Sequence, residues 1–319
     1  MTEVKQVKDM IIIGGGPIGM FAAYYAGMRD LDVAMIETLP VLGGQIAIMY
    51  PDKIIVNLGG IPEIRGVDLV EKLTLQCTKY NPDIHLEEKV LDVQKEDQVF
   101  KLTTDKSVYY GKSILIATGQ GSFKPRKLTV DGAADYEGKN LHYFVADTEK
   151  FRDKEVLVCG GGNSAVEWAL ILERVAKKVT LVHRRNEFRA HEVFVQKLRE
   201  STVEILTPFV PEELIGDGEK ITSVCLKERR GDRKINFPID ELIISYGFAS
   251  SNQALADWGL ELAHGGLIVD RQMQSNIPGI FGAGDGVTYD SKIRLLDVGF
   301  GEVPIAINSA VQYINGLEE

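Results

Sequence analysis

The chain has 319 residues, 45% of them hydrophobic and 26% charged, enough for two globular domains of ordinary size, each with its own core. Its formal charge of −10 and pI of about 5.2 lack the overall basic footprint that nucleic acid or anionic lipid would ask for, so neither is an expected partner. Three widely spaced cysteines, Cys77, Cys159 and Cys225, form no C-x-x-C and have no histidines at metal spacing; they predict idle buried thiols in a reducing cytoplasm and no metal site.

Met1 to Asp9 is polar and charged, and no secretory signal is expected from it. Met10 to Met28 is an uncharged run of 19 residues that a hydropathy window would flag, but five glycines and Pro17 favour a strand, a turn and a helix over a membrane span. The apolar stretch Met10-Ile11-Ile12-Ile13 ends in Gly14-Gly15-Gly16-Pro17-Ile18-Gly19, followed by small residues at helical spacing. Gly14, Gly16 and Gly19 fit the dinucleotide-binding spacing: one glycine turns the chain, the next lets backbone approach a pyrophosphate, and the third packs helix on strand. The pyrophosphate would sit on the free N–H groups of the helix N-terminus. Glu37, 18 residues after Gly19, closes a second apolar strand (Val33 to Ile36), where a carboxylate accepts hydrogen bonds from a ribose diol.

A glycine- and proline-punctuated loop follows, through Gly43-Gly44-Gln45, Tyr50-Pro51 and Gly59-Gly60. Leu69, Leu73 and Cys77 predict a helix over Val67 to Tyr80. Short strands are predicted at Ile84 to Val90, Gln98 to Thr103 and Ser107 to Tyr110, then a buried strand over Ser113 to Gly119. Gln120 to Leu128 reads as a crossing between domains.

Val156-Leu157-Val158-Cys159-Gly160-Gly161-Gly162-Asn163-Ser164-Ala165 then repeats the opening pattern without a gap at an offset of 146. Gly160 stands for Gly14, Gly162 for Gly16, Ala165 for Gly19 and His183 for Glu37. A helix (Val166 to Val175), a strand (Val179 to Val182), a helix (His191 to Arg199) and strands near Val203 to Leu206, Ile221 to Lys227, Lys234 to Phe237 and Glu241 to Gly247 complete this copy. Strand signals at Gly266 to Asp270 and Ile280 to Asp285, with a helix over Glu302 to Ile314, return the chain to its first domain. The expected fold is α/β, two Rossmann-like three-layer dinucleotide-binding domains, one (119–251) inserted into the other (1–118 and 252–319).

The two copies differ where a ribose would sit. Glu37 suits a diol and would repel a 2′-phosphate. The second copy offers His183-Arg184-Arg185 with Arg189 one turn later, and guanidiniums fork onto phosphate oxygens, so this site suits NADP(H). The first site then takes FAD or NAD; two nicotinamides have no chemistry to do with each other, whereas a flavin gives a sensible hydride path.

The Gly14-to-Gly19 turn, Gly43-Gly44-Gln45, Ala117-Thr118-Gly119, the Gly160-to-Ala165 turn, His183-Arg184-Arg185 with Phe188-Arg189-Ala190, and Gly282-Ala283-Gly284-Asp285 together resemble the low-molecular-weight thioredoxin reductase superfamily over nearly the whole chain. Thioredoxin reductases carry a C-x-x-C ahead of the second turn; here that region reads His142-Tyr143-Phe144-Val145-Ala146-Asp147-Thr148. With Tyr50 after Gly44-Gln45, the chain is similar to the branch without the dithiol, the thioredoxin-reductase-like ferredoxin/flavodoxin–NADP⁺ reductases. The resemblance implies an FAD domain (1–118, 252–319), an NADPH domain (119–251), ferredoxin or flavodoxin as partner, a cytoplasmic homodimer, and hydride transfer between NADPH and FAD followed by single-electron transfer. It implies FAD contacts at Glu37, Gly44, Gln45, Tyr50, Val90, Phe123 and Asp285. Asp285 would accept from ribitol hydroxyls, Tyr50 would stack on the isoalloxazine (worth roughly 0.5–1.5 kcal/mol beyond burial), Val90 would touch adenine through backbone, and Phe123 would give apolar cover.

No side-chain acid or base is required, because orientation is the protein's contribution, and no catalytic residue is assigned. Gly299-Phe300-Gly301-Glu302 is expected to open the last helix and direct its N-terminus at the reduced flavin. Members of the family commonly continue past that helix to cover the other flavin face; with the sequence ending at Glu319, that cover is expected to be absent or lost by shortening. The crossings near Gly119–Gly121 and Gly247–Ser250 are expected to act as hinges. Lys124-Arg126-Lys127 and Lys227-Arg229-Arg230-Arg233-Lys234 are candidate docking residues for an acidic carrier. The alternatives are an NADPH-dependent quinone or disulfide reductase and a flavin redox sensor.

Overall fold

The computed structural model describes residues 6–121, 124–145, 147–249 and 252–317. The chain divides into two compact units, Met1–Phe123 with Ser250–Glu319, and Lys124–Ala249.

The first unit is built on β1 (Val7–Ile13). Met10 to Ile13 are all buried, because a parallel strand covered on both faces reads as an unbroken apolar run. After the glycine turn, Pro17 opens α1 (Pro17–Met28) at a position where the missing N–H has no partner to lose. The helix buries Gly19, Ala22, Ala23 and Ala26, whose small side chains let it lie close to its neighbours. β2 (Val33–Ile36) runs parallel to β1, with Ile13 opposite Ile36. Gly44–Met49 forms a short helix, α2, where the glycines and prolines of the sequence predict a loop. α3 (Gly66–Cys77) buries Leu69, Leu73 and Cys77 on one face, as their spacing predicts.

β3 (Asp83–His85) pairs parallel with β2, and β4 (Val90–Glu96), β5 (Val99–Thr104) and β6 (Val108–Ile116) form an antiparallel meander. β6 is one strand, not the two that the sequence suggested. Gly111 does not interrupt it: the Ile11 side chain fills the space beside it, and a Cβ there would stand 2.8 Å from Ile11 Cγ1. The first half of β6 pairs with β5 and the second half with β1.

The second unit contains β7 (Leu141–His142), β8 (Glu155–Gly160), α4 (Asn163–Leu172), β9 (Lys178–Val182), α5 (Glu192–Glu200) and β10 (Glu204–Leu206). An antiparallel meander follows, β11 (Phe209–Gly216), β12 (Ile221–Glu228) and β13 (Lys234–Pro238), before β14 (Glu241–Ser245) returns to the parallel sheet. That sheet has the order β7–β14–β8–β9–β10. β11 was not predicted. Pro211 and two glutamates break its strand pattern, and it sits at the edge of the meander, where a proline is tolerated. Leu157, Cys159 and Val182 of the sheet share a core with Phe209, Ile221 and Leu226 of the meander, while α4 buries Val166, Ala169 and Leu172. Meander, sheet and helices make the three layers.

The chain then returns to the first unit. β15 (Ile280–Gly282) pairs parallel with β6, completing a seven-stranded sheet of order β3–β2–β1–β6–β5–β4 with β15 alongside β6. α6 runs over Leu296–Asn315, starting six residues before Glu302. Gly299, Gly301 and Pro304 disguise its first turns. Gly299 is a packing residue within the helix: a Cβ there would stand 2.6 Å from Ile18 Cδ1 and 3.2 Å from Gly284 Cα. The Gly299–Glu302 stretch therefore does not present a helix N-terminus, and the expectation built on it is corrected. No helix among the described residues is long and apolar enough to cross a membrane.

Candidate active site

The first glycine turn is shaped by close backbone approaches. Gly14 has φ +110°, and a Cβ on it would lie 2.6 Å from Ala117 O. A Cβ on Gly19 would overlap Gly14 O, which is the helix-on-strand contact that the third glycine permits. Gly16 caps α1 with no side-chain acceptor, and the nearest atom to a Cβ there is Gly44 Cα at 4.0 Å. The N–H groups of the first turn of α1 are thus uncapped by any side chain at Gly16. Gly43 N–H donates to Gly15 O at 2.8 Å, which brings Gly44 against Gly16.

Gln45 is half-buried in α2, and a Cβ on Gly119 would stand 3.9 Å from its Nε2. Tyr50 caps α2 and carries the Lys53 ammonium 5.2 Å from its ring centroid. Glu37 is buried at the end of β2, where Oε2 accepts from Gly15 N–H at 2.6 Å and Oε1 from Leu39 N–H at 2.7 Å. Thr118 Oγ1 is buried with no hydrogen-bond partner. Val90 is buried at the head of β4, opposite Thr104. Phe123 lies outside the described residues.

Asp285 stands between two glycines pressed onto this turn. A Cβ on Gly284 would lie 2.9 Å from Ile18 Cγ1, and one on Gly286 would lie 2.5 Å from Gly119 O. Burial raises the Asp285 carboxyl above the usual carboxylate range, against the pull of Lys292 and Arg294. The segment is clamped by a residue that the sequence reading missed. Glu302 is 3% exposed; it accepts from Gly284 N–H at 2.8 Å and Tyr289 O–H at 2.6 Å, and pairs with the buried Lys292 ammonium. The one local signal for it is a glutamate within the apolar stripe Val303, Ala306, Ala310.

The second turn keeps the same frame with other chemistry. A Cβ on Gly160 would meet Ser245 O at 2.5 Å and Ala165 Cβ at 2.7 Å, so Ala165 fills the place of the third glycine. Gly162 caps α4 without a side-chain acceptor and has nothing within 4 Å of its Cβ position. A Cβ on Gly161 would overlap the His183 ring. The loop after β9 is drawn onto the turn: Arg189 N–H donates to Gly161 O at 2.7 Å, His191 N–H to Asn163 Oδ1 at 2.8 Å, and Phe188 stacks on His183 at 5.4 Å.

His183 is buried, and burial, followed by the fields of Arg184 and Arg185, lowers its pKa; its Nε2 has no partner. Arg184, Arg185 and Arg189 are exposed and have no carboxylate partner among the described residues. The candidate docking lysines are differently placed. Lys127 pairs with Glu137 at 2.6 Å, and Lys227 and Lys234 both pair with Glu212, at 3.1 and 2.5 Å.

All three cysteines are free and buried. Burial pushes the Cys77 thiol up to about 11 and Cys159 to about 12, so neither is a thiolate near neutral pH.

Two mononucleotide-type turns whose helices open on glycine without a side-chain cap, with a buried glutamate after the second strand of one and an arginine cluster at the same place in the other, are the frame of a two-dinucleotide oxidoreductase. The sequence model of the pyridine nucleotide-disulphide oxidoreductases matches residues 8–310, and the chain belongs to that family, in its thioredoxin-reductase-like ferredoxin–NADP reductase branch. It is 49% identical over 316 residues to a ferredoxin–NADP reductase of Geobacillus thermodenitrificans, covering 99% of this chain and 95% of that one. It is 48% identical over 316 residues to ferredoxin–NADP reductase 2 of Listeria innocua, covering 99% and 96%. Among solved structures, thioredoxin reductase from Lactococcus lactis matches with a TM-score of 0.86 at 31% identity, covering 97% of this chain and 99% of that one. Thioredoxin reductase from T. acidophilum matches with a TM-score of 0.87 at 26% identity, covering 98% and 100%.

Proposed function

We propose that the chain is a ferredoxin–NADP⁺ reductase with FAD in the first unit and NADP(H) in the second. The observation that carries this reading is the contrast at one position of a duplicated turn: the Glu37 carboxylate beside Gly15, and His183-Arg184-Arg185 beside Gly161. The FAD domain comprises 1–118 with 252–319, and the NADPH domain 119–251.

The residues present fit both groups. Uncapped N–H groups open α1 and α4 toward a pyrophosphate, and Gly16 and Gly162 leave room beside them. Glu37 uses one lone pair on each oxygen for backbone N–H groups, which leaves the others for ribose hydroxyls. Asp285, held by the Glu302 clamp, offers an acceptor to the ribitol, and the unpartnered Thr118 Oγ1 supplies a polar group close by in sequence to Gly119. Gly44, Gln45, Tyr50, Val90 and Phe123 complete the FAD contacts. Gly160, Gly162 and Ala165 shape the second turn, Arg184, Arg185 and Arg189 take the 2′-phosphate, and His183 supports them from beneath Gly161.

FAD, when bound, supplies the chemistry of accepting a hydride and releasing electrons singly. Ferredoxin is the electron partner, in keeping with the names of the Geobacillus and Listeria relatives, and flavodoxin is a second carrier of matching chemistry. A cytoplasmic homodimer is the expected form. The buried, protonated thiols of Cys77 and Cys159 and the absence of C-x-x-C argue against an internal disulfide as acceptor.

The test is NADPH-driven cytochrome c reduction by the purified holoprotein with and without ferredoxin or flavodoxin. Strong stimulation by either supports the assignment. Stimulation by neither sinks it and leaves a quinone reductase or a redox sensor to be considered.

A further inference from the structure

The turn between β12 and β13 carries arginines that the reading above leaves unused, and hydrogen bonds fix where one of them emerges. His183 N–H donates to Leu206 O at 3.1 Å, and Phe209 N–H donates back to His183 O at 3.1 Å. The start of β11 is therefore tied to the residue immediately before Arg184. Phe209 pairs with Glu228 at the end of β12, and Arg229 N–H donates to Pro208 O at 2.9 Å. Arg229 thus leaves the ladder next to the strand start that holds His183.

Its neighbours in the turn are otherwise engaged. The Arg233 guanidinium lies 5.7 Å from the Phe209 ring centroid, Lys227 and Lys234 are paired with Glu212, and the Glu228 side chain folds over Gly231, where a Cβ would stand 2.5 Å from Oε2. Arg229 is exposed and has no carboxylate partner among the described residues. The fields of Arg189, Arg184 and Arg229, in that order, push the Arg185 guanidinium below its ordinary proton affinity, which places Arg229 within electrostatic reach of the loop after β9. Four guanidiniums from two separate parts of the chain therefore share one region, and among the described residues none of them is paired with a carboxylate. Like charges gathered without a counter-ion repel one another, and a doubly charged phosphate relieves that repulsion.

We propose that Arg229 is a further residue of the 2′-phosphate subsite, so that the β12–β13 turn, together with the His183–Arg189 loop, sets the preference for NADP(H) over NAD(H). This rests on the reading that the second turn holds NADP(H). A carrier-docking role for Arg229 is the competing assignment, and the two are separated by which ligand the residue affects.

The experiment is equilibrium titration of the holoprotein with adenosine 2′,5′-bisphosphate, NADP⁺ and NAD⁺, for the wild type and for Arg185→Ala, Arg229→Ala and Arg229→Lys, with ferredoxin titrated in parallel. Arg229→Ala is expected to weaken both 2′-phosphorylated ligands about five- to tenfold while leaving NAD⁺ unchanged, a loss of one charge-assisted contact. Arg229→Lys should recover part of the loss, because it keeps the charge without the fork. The salt dependence of NADP⁺ affinity should flatten in Arg229→Ala. If Arg185→Ala loses 2′-phosphate affinity and Arg229→Ala does not, the inference is overturned with the NADP(H) reading intact. If Arg229→Ala changes only ferredoxin binding, the turn is a carrier contact and the inference is overturned. If the wild type does not prefer NADP⁺ to NAD⁺, the reading of the second turn falls and the inference falls with it.

Discussion

Gly161 lies over the imidazole of His183, so close that any side chain on it would overlap the ring. The same two positions of the first copy, 146 residues earlier, are Gly15 and Glu37, where the glycine N–H donates to the carboxylate at 2.6 Å. The fold thus uses the residue ending the second strand to support the middle glycine of each turn, by a hydrogen bond in one copy and by ring packing in the other. Gly162, next along, has open space beside it. Two alanine substitutions one residue apart should therefore behave differently. Gly161→Ala forces the ring aside and should destabilise the unliganded protein by about 1–3 kcal/mol. Gly162→Ala should lose less, about 1 kcal/mol at most for an alanine at the N-cap of α4, while binding NADPH more weakly, because its methyl group stands where backbone must approach the pyrophosphate. Thermal melts and NADPH titrations of both variants check this; equal melting losses would refute it.

The same packing makes His183 a source of acid sensitivity. Burial, then Arg184 and Arg185, lowers its pKa in the folded chain, whereas the unfolded chain protonates it near about 6.5. Between the two values the unfolded state binds more protons. The stability contribution is therefore complete above about 6.5 and is lost as pH falls through the folded value. His183→Asn removes this titration. Urea melts at a series of pH values should show a shallower loss of stability below about 6.5 in the variant than in the wild type. Parallel curves would remove His183 as the cause.

Lys292 and Glu302 form a buried ion pair, with side chains 6% and 4% exposed. Removing one partner leaves the other charge buried and unpaired, which costs about 3–5 kcal/mol, whereas replacing both with apolar groups of similar size is often neutral. Lys292→Met alone should be strongly destabilising and should release FAD, because Glu302 also holds Gly284 N–H and Tyr289 O–H. Lys292→Met with Glu302→Leu should recover much of the stability but not the FAD affinity, since the Gly284 clamp stays lost. A double variant that retains flavin as tightly as the wild type would show that the clamp does not position the FAD site.

The parts of the site carried by short stretches of chain were legible before the structure. Each glycine turn lies between an apolar strand and a helix, and the repeat at a constant offset aligned Glu37 with His183 without any knowledge of contacts. What the sequence hid was non-local. Gly111 looks like a strand break until Ile11 is seen filling its place, Pro211 looks incompatible with a strand until β11 proves to be an edge, and Gly299 and Gly301 mask the start of α6. Glu302 and Lys292 are ten residues apart on different elements, and no local pattern pairs a helix glutamate with a loop lysine. Arg229 reads as one of several basic residues until the hydrogen bonds at Pro208 and His183 place it.

Asp285, the proposed acceptor for FAD, carries a pH-dependent cost in stability. Burial is the largest influence on its carboxyl and raises its pKa, Lys292 and Arg294 oppose this, and Glu302 adds to it. An acid whose folded pKa is raised contributes stability that is complete below its unfolded value of about 3.9 and is lost as pH rises through the folded value. Ionising Asp285 in the FAD-free protein therefore costs stability. Asp285→Asn abolishes that loss, so the FAD-free variant should gain stability relative to the FAD-free wild type as pH rises above about 4, reaching a plateau once the wild-type carboxyl has ionised. The same substitution exchanges a charged acceptor for a weaker neutral one and should lower FAD affinity roughly tenfold, in line with the greater strength of hydrogen bonds to charged groups. Urea melts of the FAD-free proteins across pH, with FAD binding followed by flavin fluorescence, read the two effects separately. A variant that binds FAD more weakly but shows no pH-dependent gain would mean that Lys292 and Arg294 fully offset the burial of Asp285, and that the carboxylate is held without strain.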